Sequence, residues 1–442
     1  MMKLWALGAA LVLVAAAGCT SSKKGNTSGD VSGQIKPRQI TWLNARPSDG
    51  PVIQAVREVA ADYAKLHRGF SLNMVTTPDR PSYLQKVETL AAANKLPELF
   101  DEDATPFAAS LRKQARLVNV ANLLNDFGLT SRFRPLALDY QRFDDGGLYA
   151  VPLELHMEYF WYNKAAFAKA RIKPPTTLDD LAASCGPLHE AGYTPIAVDG
   201  QDGWPLERYL AFVPFRLTAN DFVNKLKKTD AKLSDAPGRA ATDFVAKLGS
   251  NKCFEDGFSS AGYTDAMSLF TTGKAAMINI GTWELANLAG PKAPAQMRES
   301  LAYFKVPTTA DASTTENEYV VSSGIGMAIN ARTFDPLVKD FLKYLLEHYP
   351  AKYAALGQIS PTTGVQATIP QGSTPLYLQV LAEADKLGAH TAKPWDTLLD
   401  PTSNTKVQQD LVLLAQGNMS PDKFESDVDS TIAANAPRYF PK

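Results

Sequence analysis

Histidine and cysteine are scarce in this chain: five of the first and three of the second among 442 residues. The histidines stand at 67, 156, 189, 348 and 390, with no His-Glu-x-x-His pair or other ligand spacing, which argues against a metalloenzyme. Signature loops are missing too. There is no Gly-x-Ser-x-Gly elbow and no Walker loop, and Gly324-Ile325-Gly326 lacks the third glycine of a dinucleotide fingerprint. No cofactor is therefore expected. A surplus of one charge sign is also lacking: 45 basic and 46 acidic residues leave a net charge of -1. Such a balance provides no field to select nucleic acid. Beyond the N-terminal segment no apolar run is long enough to span a bilayer.

What is present begins with export. Lys3 precedes an uncharged run over residues 4–17, enough for the core of a signal peptide but short of the ~20 residues that cross a membrane. The run ends in Ala16-Ala17-Gly18-Cys19. That ending resembles a bacterial lipoprotein signal, with Ala16 where such signals usually carry Leu. The resemblance implies removal of residues 1–18 and attachment of lipid (palmitate) to Cys19, which would hold the protein at the outer face of the cell membrane. An ordinary signal peptide cut near the same place is the alternative. Residues 19–38 are rich in Ser, Gly, Lys, Asn and Thr, with little to bury, and are expected to form a flexible tether. The two remaining cysteines, Cys185 and Cys253, form an even pair in an oxidising compartment. They are either bonded to each other or, as the helical face of Leu178, Leu181, Cys185 and Leu188 allows, small buried hydrophobes.

The folded part is long enough for two or more domains. Residues 39–43 read as a strand, after which Val52, Val56, Val59, Tyr63 and Leu66 recur at helical spacing. Phe70, Leu72 and Met74 alternate as a strand, 83–94 is helical, and 96–100 is a short strand before the acidic cluster Asp101-Glu102-Asp103. Further strands are expected at 148–153, 157–162, 195–198, 275–280, 301–306 and 326–329. Thr177 with Asp180 suits a helix start, as do Asp335-Pro336 and Ser420-Pro421. Strands alternating with helices point to an α/β protein with mostly parallel, doubly wound sheets. Ligands of such sheets sit beyond the carboxyl ends of the strands, where Asn44, Arg46 and residues 101–103 fall.

Several blocks then carry a family resemblance. Gly147-Leu148-Tyr149-Ala150-Val151-Pro152 is followed by Tyr159-Phe160-Trp161-Tyr162-Asn163-Lys164 and Pro174-Pro175-Thr176-Thr177-Leu178-Asp179-Asp180-Leu181. Gly192-Tyr193-Thr194-Pro195-Ile196 leads to Trp204, and Phe270-Thr271-Thr272-Gly273-Lys274-Ala275-Ala276-Met277 runs into Gly281-Thr282-Trp283. In this order they resemble family 1 extracellular solute-binding proteins, the sugar-binding components of ABC importers. The turn Leu96-Pro97-Glu98-Leu99-Phe100 is similar to the family's Pro-Asp pattern, with Glu98 in place of Asp. The resemblance implies two doubly wound α/β lobes joined by a multi-crossing hinge, the periplasmic-binding-protein-like type II topology. It places residues 39–153 and 306–346 in lobe 1, and 154–305 and 347–442 in lobe 2. It implies a monomeric, non-enzymatic receptor that closes on a mono- or oligosaccharide and docks on ABC permease subunits.

A pyranose needs flat aromatic surfaces for its C–H faces and fixed polar groups for its hydroxyls. Candidate platforms are Trp283, which the resemblance turns toward the cleft, Trp204 after a Gly-Gln-Asp-Gly loop, and Trp395 in a Pro-bounded loop. Candidate polar contacts are Glu102, Asp103, Arg46 and Asn44 from the first lobe, His156 and Glu154 at the first crossing, and Glu284 beside Trp283. For each aromatic the bland alternative is burial in the lobe, and for each carboxylate a solvated loop end. A secreted glycoside hydrolase would use similar residue types. A structural surface lipoprotein, or a receptor of the same fold for another solute, are the remaining alternatives.

Overall fold

The computed structural model describes residues 27–29, 31–77, 79–318, 320–388 and 391–440. Cys19 and the signal segment lie outside them. Its strands are β1 Gln39–Asn44, β2 Ser71–Thr76, β3 Leu99–Asp101, β4 Ala150–Val151, β5 His156–Asn163, β6 Thr194–Ala197, β7 Ala275–Gly281, β8 Leu301–Phe304, β9 Val321–Ser322 and β10 Met327–Ile329. They form two five-strand groups. One sheet has the order β2-β1-β3-β10-β4; the other runs β6-β7-β5-β8, with β9 paired to the start of β5.

Pairing is parallel between β1 and its neighbours β2 and β3, and between β6 and β7. It is antiparallel wherever β10 or β5 takes part. Strand–helix alternation accounts for the parallel pairs, since each helix carries the chain back to the same edge. β10 and β5 instead follow segments that cross between the lobes, and they enter their sheets running the other way. The sheets are thus more mixed than the expected mostly parallel arrangement.

Each sheet has its own core. In lobe 1 the helix Pro51–Leu66 starts with Pro at its first turn and buries Val52, Ile53, Val56, Val59 and Tyr63. At about 1.5–3 kcal/mol for each large apolar side chain, that face is the main reason the helix stays docked. It packs with helix Pro336–Ala355, whose Tyr349 and Tyr353 still belong to the first core. The expected lobe boundary at 346 therefore falls inside a continuous helix. Val31 and Ile35 also lie partly buried against this core, and the Thr27 carbonyl accepts from the Asn119 amide at 2.9 Å. Part of the expected tether is thus docked on lobe 1, because its two aliphatic residues find an apolar surface there.

The second core gathers β5–β8 with helices Leu178–Glu190, Trp204–Thr218, Ala236–Ser250, Pro401–Ala415 and Pro421–Asn435. Helix Leu178–Glu190 opens on a reciprocal cap: Thr177 Oγ1 accepts from the Asp180 amide at 3.0 Å, and Asp180 Oδ2 accepts from the Thr177 amide at 3.1 Å. Cys185 on this helix is bonded to Cys253, with Cα atoms 5.1 Å apart across 68 residues of sequence. Both sulfurs are buried, so the two readings of this pair merge: a disulfide inside the apolar face. Among the described residues no helix is long and apolar enough to cross a membrane.

Candidate ligand-binding cleft

The lobes face each other across a cleft with two cavities. One, of about 340 Å³, is lined by Arg80, Glu102, Thr105 and Pro106 of lobe 1 and by Asp202, Trp204, Asp396 and Gln408 of lobe 2. The other, of about 430 Å³, is lined by Asp103, Thr105, Arg142 and Asp144 facing Lys227, Lys228, Lys393 and Phe440. Both volumes fall within the range of small-molecule sites.

Trp204 stands at the N-terminus of its helix with its indole partly exposed. The Arg208 guanidinium lies 5.0 Å from its ring centroid, and Trp283 meets it edge-on at 6.2 Å. Trp283 reaches that place because of Gly281 at the end of β7. A Cβ on Gly281 would come within 1.9 Å of the indole, so only glycine lets the ring fold back over the strand end. The indole N–H of Trp283 donates to Tyr263 Oη at 2.7 Å, and the Tyr263 hydroxyl donates to Glu284 at 2.6 Å. Glu284 thus braces Trp283 through Tyr263, a residue the sequence does not single out.

Glu102 lies on the cavity wall, 3% exposed. Its Oε1 accepts from the Thr105 hydroxyl at 2.7 Å, while Oε2 is buried with no partner. Burial pushes this carboxyl up to about 8, and the neighbouring Asp103 adds to the effect. Asp103 Oδ1 accepts from Gln141 at 3.0 Å and from the Gly326 amide at 3.2 Å. Its Oδ2 lies 3.4 Å from Arg80, which reaches across to Asp396 at 3.4 Å. Asp396 also pairs with Arg208 at 3.0 Å, and Arg208 with Glu158 at 3.1 Å. A chain of alternating charge therefore spans the two lobes beside Trp204.

A second network sits deeper, at the first crossing. Arg46 pairs with Asp101, donates to the Ile325 carbonyl, and meets Glu154 at 3.1 Å. Glu154 in turn contacts His156 Nε2 at 3.1 Å, and His156 stands edge-on to Trp283 at 5.5 Å. Burial would raise the Glu154 carboxyl, but Arg46 and the His156 hydrogen bond outweigh it and hold it at about 2. Gly324 permits this packing: at φ +66 a Cβ there would lie 1.9 Å from the Glu154 carboxylate. Asn44 Oδ1 accepts from the Arg46 amide at 3.2 Å, and its Nδ2 is buried without a partner.

The structure therefore sorts the ten sequence candidates into three groups. Trp204, Glu102 and Asp103 line the cavities. Trp283, Glu284, Arg46, Asn44, Glu154 and His156 stand behind them, and neither of these cavities reaches them. Trp395 is 2% exposed and packs on Phe222 in the second core, which corrects its expected place as a platform. The neighbouring Asp396 faces the cleft instead, because adjacent positions at the start of helix Trp395–Leu398 point to different sides. Arg80 and Arg208 were not foreseen; their only sequence signal is that each lies within a few residues of a flagged segment. Among the described residues no three His, Cys, Asp or Glu side chains are grouped to hold a metal ion.

A profile of bacterial extracellular solute-binding proteins matches residues 49–348, and the chain belongs to that family. It is 25% identical over 290 residues to an uncharacterized ABC transporter extracellular-binding protein of Pyrococcus horikoshii, a match covering 63% of this chain and 65% of that protein. A second Pyrococcus protein of the same description is covered over 64% of its length, so the chain spans just under two thirds of these relatives. The multiple sugar-binding protein of Streptococcus mutans is 26% identical over 305 residues, 64% of this chain and 68% of that one. A solved chitin oligosaccharide binding protein superposes with a TM-score of 0.79 at 20% identity, covering 91% of this chain and 100% of its own. A solute-binding protein solved with raffinose gives 0.66 at 18% identity, covering 90% and 99%. The shared architecture is the two-lobed type II fold of solute-binding proteins.

Proposed function

We propose that this protein is the extracellular receptor of an ABC importer, capturing a sugar or short oligosaccharide between its lobes and presenting it to the permease. The observation that carries the reading is the placement of Trp204 and Glu102 on one cavity wall, with Arg80 and Asp396 meeting from opposite lobes. A partly exposed indole beside fixed, buried polar groups is what a ring with apolar faces and a hydroxyl rim requires. The names of the Streptococcus relative and of the superposed receptors point the same way. Residues 39–153 with roughly 306–355 form one closing unit in this proposal, and the rest of the folded chain the other.

Each lobe supplies part of the contact surface, so ligand favours the closed form by its differential affinity for the two states. The closed monomer is the species that docks on the permease. The chain has no catalytic role in this reading, and lipid on Cys19 holds it at the outer face of the membrane. Metabolic labelling with palmitate should mark the wild-type chain and not Cys19→Ala; equal labelling would remove the anchor.

A panel of oligosaccharides read by calorimetry, with product analysis on the same samples, tests the function. Saturable binding without turnover is expected for at least one member. Hydrolysis of any member would make the protein a glycoside hydrolase, and binding of none would leave the fold to another solute. Trp283→Ala should weaken the best ligand at least about tenfold through loss of the support under Trp204; an unchanged affinity would take Trp283 out of the site.

A further inference from the structure

The two cavities share Thr105 and Pro106, so they are adjoining parts of one cleft, yet their walls carry opposite charge. Around Trp204 the carboxylates of Glu88, Asp202 and Asp396, with the burial-raised Glu102 beside them, face Arg80 as the cationic wall residue. The other cavity is bordered by six lysines and arginines against four aspartates. Three of those aspartates are already committed: Asp103 to Arg80, at 3.4 Å, Asp145 to Arg112, and Asp144 to both Lys227, at 2.8 Å, and Lys228, at 3.1 Å. Arg142 pairs with Asp139, which leaves Lys113, exposed at the rim, and Lys393, half-buried on the wall. Among the described residues no carboxylate lies within ion-pair distance of Lys393, and its Nζ reaches only the Arg142 carbonyl, at 3.4 Å.

We propose that the Lys393 end of the cleft is an anion subsite, and that the saccharide this protein captures carries a carboxylate, as a uronic acid residue does, at the end lodged there. The inference rests on the saccharide reading and adds a chemical class to it. An ammonium half withdrawn from water on a cavity wall, as Lys393 is, gains when an opposite charge enters. Burial, reinforced by the nearby Lys227, lowers Lys393 from the ordinary lysine range, the sign of a cation that its surroundings do not fully compensate. Space of about 430 Å³ admits a whole ring with its substituent rather than a bare ion. Phe440, whose ring centroid is 5.6 Å from Lys227 Nζ, adds an apolar wall for that ring. The carboxyl-rich wall around Trp204 would exchange hydrogen bonds with the hydroxyls of the neutral end, and Glu88 and Asp202 would disfavour a carboxylate there. The ligand thus gains a fixed direction along the cleft.

The test is calorimetry on the full mature chain with matched pairs: xylotriose and its glucuronic-acid-substituted form, and galactobiose and digalacturonic acid. At least one acidic member should bind about tenfold or more tightly than its neutral partner, with a preference that shrinks as salt is added. Lys393→Met, which keeps the aliphatic stem, should bring that ratio within about twofold, the acidic member carrying most of the loss; Lys393→Arg should keep most of it. Equal affinity of wild type for both members of each pair, or a preference that survives Lys393→Met, overturns the anion subsite and leaves the saccharide reading standing. Binding of neither member of either pair overturns the acidic ligand, and the oligosaccharide panel then decides the saccharide reading separately.

Discussion

Arg46, on the loop after β1, meets the carboxylate of Glu154 at 3.1 Å and at the same time pairs with Asp101; Arg46 and Asp101 are buried and Glu154 is largely so. One guanidinium thus serves two carboxylates, one in lobe 1 and one where the chain leaves it. Removing one partner of such a buried pair is costly because the survivors keep their charge without compensation. Arg46→Met should lower stability by about 3–5 kcal/mol in urea denaturation at neutral pH. Arg46→Met/Glu154→Gln should recover part of that loss. The sign with pH follows from the depressed Glu154 carboxyl: its stabilisation is present above the unfolded value of about 4.5 and is lost as pH falls toward about 2. The gap between wild type and Arg46→Met should therefore narrow on acidification.

Glu102 behaves in the opposite sense. Its carboxyl is raised to about 8, so between the unfolded value near 4.5 and that point the folded state binds more protons than the unfolded one. Stability should fall as pH rises through this window, by a few kcal/mol at most. Glu102→Gln, which keeps the shape and stays neutral, should reduce the slope between about pH 5 and 8, the rest coming from Glu207, raised by burial to about 8, and Asp199 and Glu255, raised to about 7. A profile as steep as that of wild type would show that Glu102 is not the group responsible.

Two tryptophans separate binding from folding. Trp395 is buried in the second core, so Trp395→Ala should cost about 3–5 kcal/mol of stability. Trp204 is partly exposed on the cavity wall, and Trp204→Ala should leave thermal unfolding near that of wild type while weakening the best saccharide by about tenfold or more. Melting curves and calorimetry on the two variants decide the matter; the reverse pattern would exchange their roles.

The bond between Cys185 and Cys253 closes 68 residues of the second lobe. Replacing both cysteines with alanine should lower the stability of that lobe by about 2–4 kcal/mol, chiefly by freeing the unfolded chain. Guanidinium unfolding of wild type and the double variant, both without added thiol, gives the difference directly.

Much of the scaffold is legible in the sequence. The spacing from Val52 to Leu66 became helix Pro51–Leu66, the alternation around Leu72 became β2, and the Thr177–Asp180 cap opened its helix. These features depend on residues a few positions apart, where periodicity and local hydrogen bonds are written directly in the order of side chains. The cleft was less legible. Arg80, Arg208 and Asp396 lie far apart in sequence, and nothing local says that they will meet. Trp395 and Asp396 are neighbours, yet one is core and the other lines the cleft.

The sequence by itself determined the α/β alternation, the receptor-family blocks, and the presence of glycine at 281 and 324, where the fold has no room for a side chain. Only the tertiary structure decided which charges are compensated. Arg46 is shared by two carboxylates, Glu102 keeps an unpartnered oxygen, and Lys393 has no carboxylate beside it among the described residues. The reason is that desolvation and Coulomb energy depend on distance and burial in space. Two charges separated by hundreds of residues can neutralise each other, while adjacent ones can point to different surroundings.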